Sequence, residues 1–439
     1  MKPNIFLLCL ALMAGFFLSA QSFDKAKLDR YFDALEQNNK LMGSVAVSKN
    51  GHLLYTRSIG YADVESGKKA NDETKYRVGS ISKTFTAVMV LKAAEKKKLS
   101  LDQSIQAYFP GIKHADKITI RHLLSHRSGI HNITRDKSYY EWNTTPRQRA
   151  ELVKVISDSG SDFEPDFKAE YSNSNYILLS FILEEIYGEP YAKLLEQQII
   201  KPLGLKYTAF GSVINSANNE SQSYKYVKNW VKQPETHTSV LLGAGGVIST
   251  PADITKFAEA LFGGKLLSQK SMDEMLVVKD GFGLGIYPVP VNDKKAMGHT
   301  GGIEGFASVF VNLKDIGVTI ALSANGDNYN ANKVLKALVS SVYNEPYEVP
   351  EFKVLVLSDE ELNKYIGVYA AEKMPMKITI SKDGNSLKGQ AGGQNSFPLE
   401  ATAKDEFRFD GMGLVITFDL SQNTLVLKQG GKEMSFKRE

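Results

Sequence analysis

Leu28, Tyr31, Phe32 and Leu35 recur at the spacing of one helix face, so residues 24–37 are predicted to form an amphipathic helix. Two alternating runs follow, Ser44–Ser48 and Leu53–Ser58, joined through Asn50-Gly51. That dipeptide between alternating runs predicts a tight β-hairpin. From residue 80 to 260 the pattern changes to helical and loop segments. Alternation returns in four predicted strands, at 282–289, 294–301, 306–313 and 317–324, and a helix over Ala331–Tyr343 follows. Strands at both ends of a helical middle predict an α+β fold, an α/β sandwich. One antiparallel sheet is flanked by helices, and the middle of the chain forms an all-helical subdomain.

Two prolines in Asn344–Pro350 punctuate the chain, and residues 346–357 are read as a linker. A short helix, Ser358–Tyr365, precedes about eight β-like runs between Gly367 and Lys437. Turn pairs at Asp383-Gly384, Gly392-Gly393, Asp410-Gly411 and Gly430-Gly431, with Ser421–Asn423, fall at close intervals. This rhythm predicts a small C-terminal antiparallel β-barrel over residues 358–439. The main domain is then residues 21–345.

Candidate chemistry enters at Ser80 and Lys83, in Gly79-Ser80-Ile81-Ser82-Lys83, where a loop meets an apolar helix. Residues i and i+3 share a helix face, so the lysine stem stacks one turn from the hydroxyl. A serine at a helix N-terminus sits where unpaired N–H groups favour negative charge on substrate oxygen. Phe85–Leu91 is nearly all apolar, so the helix is expected to be buried and Lys83 partly desolvated, with a lowered pKa. The four-residue pattern is weak by itself: Ser66–Lys69 also fits, and reads as a solvated turn. Two further motifs strengthen it. In Glu170-Tyr171-Ser172-Asn173 an extended segment points Tyr171 and Asn173 the same way. A phenolate held near cations can exchange a proton with the serine, and the Asn173 amide can hold lysine and substrate together. Gly298-His299-Thr300-Gly301-Gly302 reads as a strand edge that lets a ligand backbone come close.

Ser-x-x-Lys, Tyr-x-Asn and His-Thr-Gly in this order resemble the serine β-lactamase and penicillin-binding-protein superfamily. Tyr171 at the second motif points to its class C β-lactamase and D,D-peptidase branch. Leu123–Ile130, Pro202–Leu205, Ala244–Asp253 and Gly283-Leu284-Gly285 agree with that branch, over roughly residues 25–345. The resemblance implies an acyl-enzyme on Ser80, with Lys83 and Tyr171 exchanging its proton and Asn173 orienting the lysine. It implies substrate contacts at His299, Thr300 and Gly301, and an oxyanion hole from the backbone N–H groups of Ser80 and Gly302. It implies neither cofactor nor metal. The C-terminal barrel resembles the lipocalin-like module attached to many β-lactamase-related hydrolases. Many β-lactamases of the superfamily carry lysine where this chain has His299; histidine is more like its D,D-peptidases, D-aminopeptidases and esterases. The expected substrates are therefore short peptides ending in D-amino acids, as for a D,D-carboxypeptidase, or related amides and esters. A class C-type β-lactamase, a short-chain esterase and a non-turnover protein that binds β-lactam or wall peptide are the alternatives.

The 439 residues, 43% hydrophobic with a net charge of +4, fit two folded domains and leave no basic footprint for nucleic acid. Lys2, the apolar run Ile5–Leu18 and Ser19-Ala20 read as a signal peptide over residues 1–20, which predicts export to a periplasmic or secreted location. No stable membrane insertion is expected after cleavage; an uncleaved anchor is the alternative. The one cysteine, Cys9, lies in that segment, so thiol catalysis is excluded for a cleaved chain. Among seven histidines, His122 and His126 have a metal-ligand spacing but no further ligand beside them, and they are read as structural. No carboxylate pair stands out for glycoside hydrolysis.

Overall fold

The computed structural model describes residues 23–227, 229–371 and 376–439. The expected signal peptide, residues 1–20, lies outside them.

Six antiparallel strands form the central sheet, in the order Tyr287–Pro288, Met297–Ile303, Phe306–Leu313, Val318–Asp327, Leu41–Lys49, His52–Ile59. N- and C-terminal strands thus meet at its centre, where Val45 pairs with Leu322 and Val47 with Ile320. The hairpin turn has Asn50 at φ 53° and Gly51 at φ 83°. Two successive positive φ angles match the twist of the flanking strands, which is why Asn-Gly works there.

Leu41–Ser48 is buried at every position, because helices cover both sheet faces. On one face Val45, Val47, Val311, Ile320 and Leu322 pack against helices Lys25–Gln37 and Ala331–Val342. On the other, Phe310 and Ala321 join the core of the helical layer. Helix Pro251–Phe262 lies against the small residues of this side, and its Phe257 ring stacks on Phe85 at 3.8 Å. Phe85 belongs to helix Ser82–Glu95, which is buried from Ser82 through Leu91. An apolar sequence all round the helix is what burial on every side requires.

The strand expected at 282–289 shrinks to Tyr287–Pro288. Gly283 N–H donates to the Ile286 carbonyl, closing a turn. Gly285, at φ 72°, packs where a Cβ would overlap Ala87, and its carbonyl accepts from Thr84 Oγ1 at 2.9 Å. The segment therefore braces the Ser82–Glu95 helix instead of extending the sheet.

Eight strands, from Gly367–Ala370 to Lys432–Arg438, close into an antiparallel barrel around Tyr369, Ile380, Phe407, Ile416 and Phe436. It is joined to the sheet domain by residues 345–358, which carry no helix or strand. The barrel docks through buried Lys40, whose Nζ lies 2.9 Å from Glu400 and 3.1 Å from Asp410. Among the described residues, no helix is long and apolar enough to cross a membrane.

Candidate active site

Ser80 lies in a short 3-10 turn, Gly79–Ile81, two residues before the α-helix begins at Ser82. The expected place is a helix N-terminus, and the structure puts this 3-10 turn ahead of the helix. Gly79 at φ 50° forces the tighter entry, since residues other than glycine seldom adopt that backbone. Lys83 keeps its place one turn on and is fully buried. Its Nζ lies 2.9 Å from Ser80 Oγ, 2.7 Å from Asn173 Oδ1 and 2.7 Å from the Ala244 carbonyl. The last two groups only accept. An ammonium donates to all three; once deprotonated, the amine still satisfies both acceptors with its two N–H bonds and leaves a lone pair for the Ser80 hydroxyl. Burial drives the Lys83 pKa well below the usual lysine value, which favours that neutral form.

Asn173 opens helix Asn173–Tyr187 behind Ser172. The extended alternation expected across Tyr171–Asn173 is replaced by this helix start, yet both side chains reach Ser80 and Lys83. Asn173 Nδ2 donates to Thr134 Oγ1 at 2.8 Å and to Asn132 Oδ1 at 3.3 Å, which fixes its Oδ1 toward Lys83. Tyr171 hydrogen-bonds the Ser80 side chain, and its ring lies 4.9 Å from Lys83 Nζ. Burial raises its pKa, an effect the Ser80 contact offsets in part. Burial thus disfavours both charged forms, the Lys83 ammonium and the Tyr171 phenolate, and Tyr171 rests as a neutral phenol.

His126 packs its ring 4.4 Å from Tyr171, and its Nδ1 accepts the Ser172 N–H at 3.1 Å. His122 Nδ1 accepts the Thr119 N–H in a helix cap at 3.3 Å. These histidines hold backbone. Lys69 of the second Ser-x-x-Lys match pairs with Glu36 at 3.2 Å on the surface, far from any such cluster.

His299 is buried, with Nδ1 2.6 Å from the Thr300 carbonyl and its ring 4.6 Å from Tyr287. Burial first, then Lys83, lowers its pKa to about 3, against a raising contact with Thr300. The imidazole is neutral and donates from Nδ1, so it offers no cation to a carboxylate. Thr300 N–H donates to the Tyr287 hydroxyl at 2.9 Å, across the free side of the strand. Amide directions alternate along a strand, so the Gly302 N–H faces the same open side. A Cβ on Gly79 would come within 2.9 Å of Gly302 N, so this amide borders the Ser80 turn.

Ser80 and Gly302 stand between two lobes of one cleft. The first, about 490 Å³, is lined by Asn173, Tyr139, Thr236, Gly245 and Glu304 among others. The second, about 480 Å³, is lined by Tyr171, Gly281, Phe282, Tyr287 and Thr300.

Gly301 holds the strand against this turn: a Cβ there would overlap the Val78 carbonyl and the Ser308 hydroxyl. Gly301→Ala is expected to displace the strand and cut kcat/KM by about 10²-fold, the scale of a 1 Å misplacement. Overpacking should also lower stability by about 1–3 kcal/mol. Gly302→Ala, whose Cβ meets nothing within 4 Å, should melt like the parent. Thermal melts and kinetics on a reporter ester check both; equal melting of the two variants would contradict the packing argument.

Asn132, Thr134 and the Ala244 carbonyl escape a reading of the sequence. Asn132 follows the Leu123–Ile130 stretch, but a lone loop asparagine carries no catalytic signature.

Residues 28–342 match the family described as Beta-lactamase. The chain is 24% identical over 445 residues to a penicillin-binding protein of Bacillus subtilis (strain 168), covering 92% of this chain and 97% of that one. It is 27% identical over 327 residues to the teichoic acid D-alanine hydrolase of Staphylococcus aureus (strain MRSA252), over 73% of this chain and 77% of that one. A solved D-stereospecific amidohydrolase from Streptomyces sp. is similar with a TM-score of 0.62 and 27% identity, covering 72% of this chain and 99% of that one.

Proposed function

The chain belongs to the beta-lactamase family and is a serine hydrolase of that kind, and on this premise we propose that it cleaves D-amino-acid-containing peptides, amides or esters through an acyl-enzyme on Ser80. The observation that carries the reading is the Lys83 amine, buried against Ser80 with its other two contacts on pure acceptors.

Ser80 Oγ attacks the substrate carbonyl carbon while its proton passes to Lys83 Nζ. The carbonyl oxygen becomes an oxyanion between the Ser80 and Gly302 N–H groups; such donors typically contribute ~10²–10³ in rate. As the tetrahedral intermediate collapses, the bond to the leaving nitrogen or oxygen breaks. Tyr171 gives that atom its proton and recovers one from the Lys83 ammonium. Water then attacks the acyl carbon, loses a proton to the same pair, and the proton returns to Ser80 Oγ as the acid leaves. Tyr171 acts as acid at the start of collapse because burial keeps its phenol protonated.

Substrate choice rests on the third motif. A neutral, buried His299 attracts a substrate carboxylate less than a lysine ammonium would, so β-lactam turnover should be poor. Relatives named for D-alanine and D-stereospecific hydrolysis support the same preference. Kinetics on D-Ala-D-Ala peptides, D-aminoacyl amides, short-chain esters and nitrocefin test it. A kcat/KM for nitrocefin far above every peptide, amide and ester would make the protein a β-lactamase.

A further inference from the structure

Tyr171, assigned above to protonate the leaving group, lines the second lobe of the cleft and not the first. The leaving group therefore occupies the second lobe, and the acyl part lies in the first, beside Asn173. One carboxylate lines that first lobe: Glu304, two residues past the oxyanion donor Gly302. Two residues span at most about 7 Å of backbone, so a carbonyl held at Gly302 puts its own α-substituents within side-chain reach of Glu304.

Glu304 is poorly served by its own protein. Oε1 accepts the Thr236 N–H at 2.8 Å, and Oε2 is enclosed with no hydrogen-bond partner among the described residues. The side chain lines the first lobe beside Thr236. The nearest guanidinium, Arg77, is committed to Glu235 and to the Thr236 and Ser212 carbonyls. Lys225, on the same lobe, is exposed at the rim. Glu304 also sits at φ 50°, a backbone region that costs a side chain of its type. A glutamine would serve the Thr236 N–H equally well; within the free protein the cation that favours the Glu304 charge is Arg77, whose hydrogen bonds go elsewhere. Burial raises the Glu304 pKa, a penalty that a cation in the lobe would offset.

We propose that Glu304 is the counter-ion for a free ammonium on the acyl part of the substrate, so that the favoured substrates are D-aminoacyl amides and esters rather than N-acylated peptides. This rests on the reading of Ser80 as the acylated nucleophile. It narrows the substrate class to molecules whose scissile carbonyl carries a neighbouring primary amine.

The test compares D-alanine p-nitroanilide with N-acetyl-D-alanine p-nitroanilide, on the parent and on Glu304→Gln, with fluorophosphonate labelling of Ser80 alongside. Glu304→Gln keeps the side-chain shape and the bond from Thr236. The parent should prefer the free amine by roughly 30-fold or more, the scale of a lost buried charge pair. Glu304→Gln should erase that preference through a higher KM for the free amine, with the acetylated substrate unchanged. Equal loss on both substrates would make Glu304 a structural residue and overturn the proposal, as would a preference that survives the substitution. Turnover of neither anilide by a parent that labels at Ser80 would reject the substrate class and leave the nucleophile standing. Failure to label would reject the nucleophile, and this inference with it.

Discussion

Ser80→Ala is expected to abolish hydrolysis, with a loss on the order of 10⁶ in kcat, as when the nucleophile of an acyl-enzyme is removed. The side chain loses one oxygen at a partly exposed position, so folding should be untouched. Without Oγ the substrate carbonyl has no partner to form an ester, and the Lys83 lone pair faces empty space. A water cannot simply replace it, because a fixed attacking oxygen is worth a large effective molarity. The measurement is paired: steady-state turnover of the preferred ester or amide, and labelling by a fluorescent fluorophosphonate. Parent protein should label and turn over; the variant should do neither while keeping its melting temperature. Near-parent turnover by Ser80→Ala would sink the assignment.

Lys83 carries the second large effect. Lys83→Ala should lower kcat by at least the ~10²-fold typical of a positioned acid–base group. Lys83→Arg should be as impaired, because a guanidinium stays protonated and has no lone pair for the Ser80 proton. A merely structural cation would tolerate arginine better, so the two variants separate the roles. The sign of the pH dependence follows from the same burial. Lys83 is neutral above its lowered pKa and charged below it, so kcat/KM should fall as pH drops through that value. The acid limb should be missing from the residual activity of Lys83→Ala. A profile unchanged by the substitution would assign the titration to another group.

Ser80 and Lys83 were legible in the sequence because their relation is local: two side chains three residues apart on one helical turn. The helix that carries them was legible for the same reason, since an all-apolar run must be buried. Chain-wide periodicity also sufficed for the hairpin at Asn50-Gly51, the terminal helices of the sheet domain and the eight-stranded barrel. Where local signals competed, prediction failed. Residues 282–289 alternate like a strand, but Gly283, Gly285, Pro288 and Pro290 allow a turn that packs on the helix at Ala87.

What the sequence alone determined was therefore the identity of the candidate reacting groups, the order of the motifs and the alternation that makes the sheet and barrel. The tertiary structure decided their electrostatics and their company. Burial of Lys83 and Tyr171 disfavours the ammonium of one and the phenolate of the other, and burial is a property of the surroundings, not of the residue. Asn132, Thr134 and the Ala244 carbonyl join the site from segments far along the chain. The Gly79–Gly302 approach and the Glu304 carboxylate at the first lobe exist only because the sheet brings residues 297–306 onto the turn at 78–81. Such contacts leave no periodic trace in sequence, since each depends on packing between elements rather than on spacing within one.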